Sequence, residues 1–432
     1  VTSAPLTRTI RVGILGFGTV GSGAYRMLQD NHDAIMQRVG CPFEVTRIGV
    51  QDSAKSRTIS SDYFTTDSQS IVDDPSIDVV LELIGGVDPA AALVERALRN
   101  GKHVVTANKE LIAKHGARLV SLAKSLNLDL HYEAAVGGGI PLVQPLKHQL
   151  AGNDVLKMMG ILNGTTNYIL SKMQLEGADF NDVLKEAQAN GFAEADPTND
   201  VDGFDTMYKI AILASIAFHR RLPVEGIYRE GIRNVTKLDM QYADTLGYTI
   251  KFLGIVQPFG EDRILARVHP TLVPKSHPLA SVNGVYNALY LHGDFVGDLM
   301  FSGRGAGSDP TASAVIGDLV DVGRNIVGGG SGSAIPFSDE ALNTASIEEL
   351  RSAYYLRIRV IDRPRVLGMI ATEFGKHEVS LAAMEMKTLD EGKGEIVFLT
   401  HPCHESDFRA ALVGLRTSGE VEEISASIRV EN

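Results

Sequence analysis

The stretch Ile10–Gly21, IRVGILGFGTVG, decides the fold. Ile10–Leu15 reads as a buried strand. The pattern Gly16–Phe17–Gly18–Thr19–Val20–Gly21 follows directly, and a helical pattern from about Val20 to Gln37 begins inside it. In a strand–turn–helix unit, Gly16 permits the tight turn and Gly18 lets backbone amides approach a pyrophosphate. Gly21 allows close helix–strand packing, and the helix N-terminus adds partial positive charge. Taken alone, G-x-G-x-x-G also fits a structural glycine turn; its place after a strand and at a helix start favours a dinucleotide. Gly16, Phe17, Gly18, Thr19, Val20 and Gly21 are thus the expected cofactor loop. The choice between NAD and NADP stays open. Asp52, after the second strand, can hold a ribose hydroxyl, Lys55 or Arg57 can meet a 2′-phosphate, and a solvated loop fits equally.

Outward from this unit, strand patterns at Phe43–Val50, Val79–Leu83, His103–Thr106 and Leu128–Tyr132 alternate with helical ones such as Ala90–Asn100. That alternation predicts an α/β, Rossmann-type doubly wound parallel sheet over residues 9–145. Beyond Gly137–Pro141 the texture changes. Helical patterns (Phe180–Asn190, Asp205–Phe218) and strand-like ones (Arg263–Val268, Tyr286–His292) predict an α+β catalytic and dimerisation domain over 146–327. It closes with a helix at about 311–326, capped by Thr311, that packs on the first domain. Gly328–Ser333 opens a linker over 328–350. Strands at Tyr354–Ile361, Ile396–Thr400 and Ile424–Val430, with helices at Arg365–Lys376 and Phe408–Leu415, predict a ferredoxin-like β-α-β-β-α-β module over 351–432.

With 432 residues, several domains are expected. A net charge of −12 argues against nucleic acid or anionic membrane as a partner. Cys41 and Cys403 offer neither a disulfide framework nor metal-ligand spacing. The first residues lack the apolar run of a signal peptide, and no stretch reaches the roughly 20 apolar residues of a membrane helix. A cytoplasmic protein is expected.

Two strand ends carry unusual polarity: Glu82–Gly86 and Val104–Lys109 should both finish at the carboxyl edge of the sheet, where doubly wound folds bind ligands. Lys109 there would lie near a cofactor and an anionic substrate, although a surface lysine fits the bare sequence as well. Asp205 and Lys209 are four apart on a predicted helix, hence on one face. Glu194 precedes that helix, and Asp196, Asp200 and Asp202 read as turn and cap residues.

These segments resemble the homoserine dehydrogenase family in order: Glu82–Gly86, Val105–Lys109, Glu133–Pro141, Gly160–Leu170 (GILNGTTNYIL), Gly191–Asp205 (GFAEADPTNDVDGFD) with Lys209, and Gly303–Asp318. The resemblance implies reversible hydride transfer between NADP or NAD and the homoserine/aspartate 4-semialdehyde pair, in threonine, methionine and isoleucine biosynthesis. It implies Lys209 as proton donor or acceptor, Lys109 between cofactor and substrate, and Glu194 and Asp205 on homoserine. It also implies that Thr106, Lys109, Gly191 and Gly307 contribute to the cofactor site. A lysine working near neutrality must be shifted down from about 10.4 by burial or a neighbouring cation, and Lys109 can be that cation. Carbonyls of Val136, Gly138 and Ile140 point one way in an extended chain. Beside Glu133 they can hold a hard cation, by the resemblance a sodium ion; the bare sequence reads as a glycine turn.

The last module resembles an ACT domain through Tyr355–Met369 (YLRIRVIDRPRVLGM), which implies an amino-acid effector and pairing into a homodimer or homotetramer. It departs from the family's Asp-x-Pro-Gly turn at Asp362–Arg363–Pro364–Arg365. Arg365 obstructs the backbone approach that glycine allows, which argues against threonine feedback. Among rivals, a thioester-forming semialdehyde dehydrogenase needs an activated cysteine at the sheet edge, and neither cysteine is so placed. A non-catalytic amino-acid and dinucleotide sensor would not require Lys109, Glu194, Asp205 and Lys209 together.

Overall fold

The computed structural model describes residues 8–53, 55, 57, 59–331, 337–389 and 392–431. The start of the N-terminal segment, through Thr7, and Gly332 and Ser333 of the glycine–serine run lie outside the described residues. The chain forms two compact units: Val1–Val155 with Tyr208–Val224 and Asn287–Leu342, and Leu156–Met207 with Glu225–Tyr286 and Asn343–Asn432.

The first unit is built on six parallel strands in the order Phe64–Thr65, Phe43–Gly49, Ile10–Leu15, Val79–Glu82, His103–Thr106, Leu130–His131. By position along the sheet this is 3-2-1-4-5-6, a doubly wound order, and the sheet is parallel as expected. Val79–Glu82 is buried throughout, as a strand covered on both faces must be. Ile10, Val12 and Ile14 share a core with Val315, Leu319 and Val322 of the closing helix. That helix runs Ser308–Gly328 and is capped by Gly307, so it begins before Thr311. The single helix expected over Val20–Gln37 is two, Thr19–Asp30 and His32–Val39. Asn31, at φ −108° and ψ 18°, ends one and opens the next. Ser338–Ala341, within the stretch read as linker, pairs with Arg220–Arg221.

In the second unit Tyr248–Phe259 and Arg263–Pro274 form a long antiparallel hairpin, with Val155–Ile161 on the outer side of its first strand. The C-terminal module has strand order Val421–Val430, Arg351–Ile361, Lys393–Thr400, Leu381–Thr388, all antiparallel, with helices Val366–Lys376 and Glu405–Thr417. Numbered within the module this is 4-1-3-2, the ferredoxin-like arrangement. Its core includes the stacked pair Tyr354 and Phe408, with ring centroids 4.0 Å apart. The closing strand also pairs in parallel with the hairpin, Thr271 with Arg429 and Leu272 with Val430.

Arg365 sits at φ 82°, left-handed, at the cap of Val366–Lys376. A side chain is strained there. Arg365→Gly should raise unfolding stability by about 0.5–1 kcal/mol, the relieved strain less the extra chain entropy of glycine. Denaturant unfolding of the purified protein measures this, and a loss of stability would contradict it.

Candidate active site

The sheet order reverses between Ile10–Leu15 and Val79–Glu82, and the glycine loop leaves the carboxyl end of the first of these. Gly16, at φ 97°, donates its amide to Gly49 O at 2.9 Å. A Cβ on it would lie 2.6 Å from the Leu83 carbonyl oxygen, so the loop can press against the neighbouring strand end only as glycine. A Cβ on Gly21 would stand 2.2 Å from Gly16 O. Gly18 caps Thr19–Asp30, and a Cβ there would meet nothing within 4 Å. An open backbone cradle at a helix N-terminus fits a pyrophosphate. Phe17 packs edge-on against Tyr25 and Phe64, and Val20 lies against the sheet core.

Glu82 at the next strand end is fully buried. Its carboxylate accepts from the Thr106 hydroxyl at 2.5 Å and from the amides of Ile84 and Gly85 at 2.9 and 3.4 Å; burial pushes its pKa up against these bonds. The sequence marked Glu82 as odd without giving it a task. It braces the strand ends at the switch point, and the Thr106 hydroxyl is engaged there, also accepting the Asn108 amide at 3.0 Å. Asn108 caps helix Lys109–Ser125 by accepting from Leu111 N, and donates to Gly86 O. Lys109 is half-buried at the start of that helix.

Helix Phe204–Ala217 carries Asp205 in its first turn, 2 % exposed, and Lys209 one turn later, 9 % exposed. The helix beginning at Lys109 approaches it: Lys114 Nζ lies 5.5 Å from the ring centroid of Tyr208, the residue before Lys209. In the second unit Asp205 accepts from Asn163 Nδ2 at 2.9 Å, and the same amide donates to Asp200 at 2.7 Å. Asn163 also caps helix Gly164–Glu176, accepting from Thr166 N. It escaped the sequence reading, although an asparagine before Gly-Thr-Thr is a cap signal. Of the aspartates read as turn and cap residues, Asp196 accepts from Thr198 N and Asp202 ends the short helix Thr198–Val201, which carries Asp200 in its first turn; the side chains of Asp200 and Asp202 also bind Asn163 and Arg233. Glu194 is exposed, and its backbone oxygen accepts from Gln188 Nε2 at 3.0 Å. Gly191, exposed at φ 72°, turns the chain after helix Phe180–Ala189.

The glycine-rich segments of the first unit converge. A Cβ on Gly138 would lie 2.5 Å from Gly305 backbone atoms, and Ser308, just after Gly307, donates its hydroxyl to Thr19 O at 3.0 Å. Gly23 was missed; a Cβ on it would strike Ser308 Oγ at 2.5 Å, which lets the first and closing helices touch. Glu133 accepts three amides, Leu142, Val143 and Gln144, at 2.6–2.8 Å, and its own amide donates to Asp318 at 2.8 Å. Burial and the Asp318 charge push its pKa up. Val136, Gly138 and Ile140 are buried, and among the described residues their carbonyls accept no backbone hydrogen bond. Buried acceptors of this kind fit a hard cation.

A switch-point glycine loop, a braced strand end and a lysine-bearing helix define a nicotinamide-dinucleotide oxidoreductase. Residues 16–133 match the family described as homoserine dehydrogenase, NAD binding domain, and residues 141–320 match that described as homoserine dehydrogenase. The homoserine dehydrogenase of Synechocystis sp. is 45% identical over 437 residues, covering 98% of this chain and 99% of the relative. The crystal structure of a homoserine dehydrogenase from Thiobacillus denitrificans superposes with a TM-score of 0.92 at 41% identity, over 98% of this chain and 99% of that one. A hyperthermophilic archaeal homoserine dehydrogenase mutant in complex with NADPH gives 0.63 at 27% identity, over 73% of this chain and 98% of that one. The chain belongs to the homoserine dehydrogenase family.

Proposed function

We propose that Lys209 gives and takes the alcohol proton in this chain's homoserine dehydrogenase reaction, the interconversion of L-homoserine and aspartate 4-semialdehyde. One observation carries this reading: a single helix bears a buried carboxylate, Asp205, and a buried amine, Lys209, one turn apart. Homoserine offers an ammonium for Asp205 and Glu194 and a primary alcohol for Lys209. The nicotinamide supplies the hydride acceptor or donor; the protein supplies distance, orientation and charge. Lys109, at the helix start capped by Asn108, sits between cofactor and substrate, with Thr106 and Gly307 at the rim of the cofactor site and Gly191 completing it. The carbonyls of Val136, Gly138 and Ile140, beside Glu133, hold a sodium ion in a structural role.

We read residues 9–145 as the cofactor-binding part, 146–327 as the homoserine-binding part, 328–350 as the connection and 351–432 as an ACT-type module. Its edge strand Leu381–Thr388, with Met384 and Met386 exposed, supports association into an oligomer. Two free, buried thiols and the need for a nucleotide cofactor favour the cytoplasm, within threonine, methionine and isoleucine biosynthesis.

Between the cofactors, Arg57 favours NADP. Its guanidinium lies 4.7 Å from the Phe64 ring centroid, donates to the Asp52 and Lys55 carbonyls, and Phe64 in turn packs on Phe17 of the glycine loop. A guanidinium so tethered suits a 2′-phosphate. The test follows absorbance at 340 nm with L-homoserine and each cofactor. Wild-type protein should reduce the cofactor only when homoserine is present, and Arg57→Ala should raise KM for NADP about tenfold while leaving NAD alone. Equal effects on both would reject the phosphate contact. No homoserine-dependent reduction with either cofactor would reject the reaction.

A further inference from the structure

The segment Tyr228–Arg233 lies, within the second unit, between the residues that lead into Asp205 and the closing strand of the C-terminal module. On one side it engages Val201, Asp202 and Phe204. Ile232 donates its amide to Val201 O at 2.9 Å. Gly231 packs so tightly that a Cβ would lie 2.5 Å from that same oxygen. Arg233 grips the Asp202 carboxylate with two nitrogens, at 2.6 and 3.2 Å. Arg229 donates to the Asp202 carbonyl and lies over the Phe204 ring, 3.7 Å from its centroid. Asp205 is the next residue. Its position also depends on Asn163, which joins it to Asp200 in the same turn.

On the other side, Tyr228–Arg229 pairs with Arg267–Val268 of the hairpin, and Glu230 N donates to Val268 O. The side chain of Glu230 accepts from Arg429 Nη1 at 2.9 Å. Arg429 belongs to the closing strand and is nearly fully buried. It is held twice by Glu405, at 2.8 and 2.5 Å, and donates to the Tyr228 hydroxyl at 3.2 Å. A planar guanidinium with two carboxylates and a phenol around it has a fixed place. The segment therefore has a rigid anchor behind it and the residues that lead into Asp205 in front.

We propose that Arg229 and Arg233 are positioning residues for Asp205, and that the Arg429–Glu230 pair fixes this positioning to the C-terminal module. The proposal rests on the reading of Asp205 as a homoserine contact. A carboxylate displaced by a fraction of an ångström weakens substrate binding without touching the proton-transfer group, so the signature is a change in KM for homoserine at nearly constant kcat. The chemistry that Lys209 performs is left in place.

The test compares Glu230→Gln, Arg233→Ala, the double variant, Arg233→Lys and Asp205→Asn in the full-length protein. Glu230→Gln and Arg233→Ala should each raise KM for homoserine on the order of tenfold, with kcat within about twofold and the cofactor KM unchanged. The double variant should be no worse than the more damaging single one, as expected of residues acting in one chain. Arg233→Lys, charged but unable to grip both oxygens, should fall between. A raised KM in Asp205→Asn with none in Glu230→Gln and Arg233→Ala would overturn the positioning role alone. Fully additive effects would overturn the coupling to the C-terminal module. An unchanged KM in Asp205→Asn would remove the substrate reading of Asp205 and the positioning role with it. Circular dichroism melts of all five variants separate unfolding from these outcomes, and a lowered midpoint with unchanged KM would leave the segment a purely structural role.

Discussion

Replacing Lys209 with alanine should lower kcat for homoserine oxidation by about a thousandfold, within the range of roughly 10²–10⁴ expected when a positioned acid–base group is lost. Lys209 is 9 % exposed on the Phe204–Ala217 helix, one turn from Asp205, and a buried side chain samples far fewer rotamers than a lysine at the surface. Alanine is a good helix former, so the helix should persist. Initial rates at 340 nm give the turnover, and a thermal melt shows whether the fold survives. Turnover near wild type in a folded variant would take the proton away from Lys209. A rise in KM with kcat unchanged would mean that the lysine binds substrate without exchanging a proton.

The second large effect belongs to Gly21. An added methyl would sit 2.2 Å from the Gly16 carbonyl oxygen, a backbone atom that cannot swing aside as a side chain can. The turn must open, and with it the amide cradle at Gly18. Gly21→Ala should therefore weaken cofactor binding on the order of a hundredfold while leaving KM for homoserine nearly unchanged. Titration of NADPH fluorescence against the protein measures this directly. Wild-type affinity would mean that the pyrophosphate lies elsewhere. Gly18→Ala makes the contrast, since space around Gly18 is open and the turn itself would hold.

The cofactor half was legible because its determinants are local. A strand, a glycine turn and a helix start occupy twelve consecutive residues, and strand–helix alternation implies a parallel sheet. Features set by distant partners were harder to read. The break at Asn31 leaves the apolar periodicity almost undisturbed, so the two helices read as one. Tyr248–Phe259 is buried along nearly its whole length and lacks the alternation that marks a half-exposed strand. Leu381–Thr388 fails for the opposite reason, being exposed along nearly all of its length at the edge of the sheet. Asp205 and Lys209 could be placed on one helical face from spacing alone, but their burial could not. The double engagement of Asn163 and the grip of Arg233 on Asp202 join residues tens of positions apart in sequence. In the C-terminal module, the odd residue of the Asp362–Arg365 turn was visible as a departure from a pattern. Its backbone is left-handed, a conformation that glycine adopts without strain.

The most direct measurement is a crystal structure of the protein with NADP and L-homoserine bound together. Lys209 Nζ should lie about 2.6–3.2 Å from the substrate hydroxyl, or one water away, with Asp205 on the ammonium. An amine turned away from the substrate, with the hydroxyl held by some other group, would contradict the mechanism.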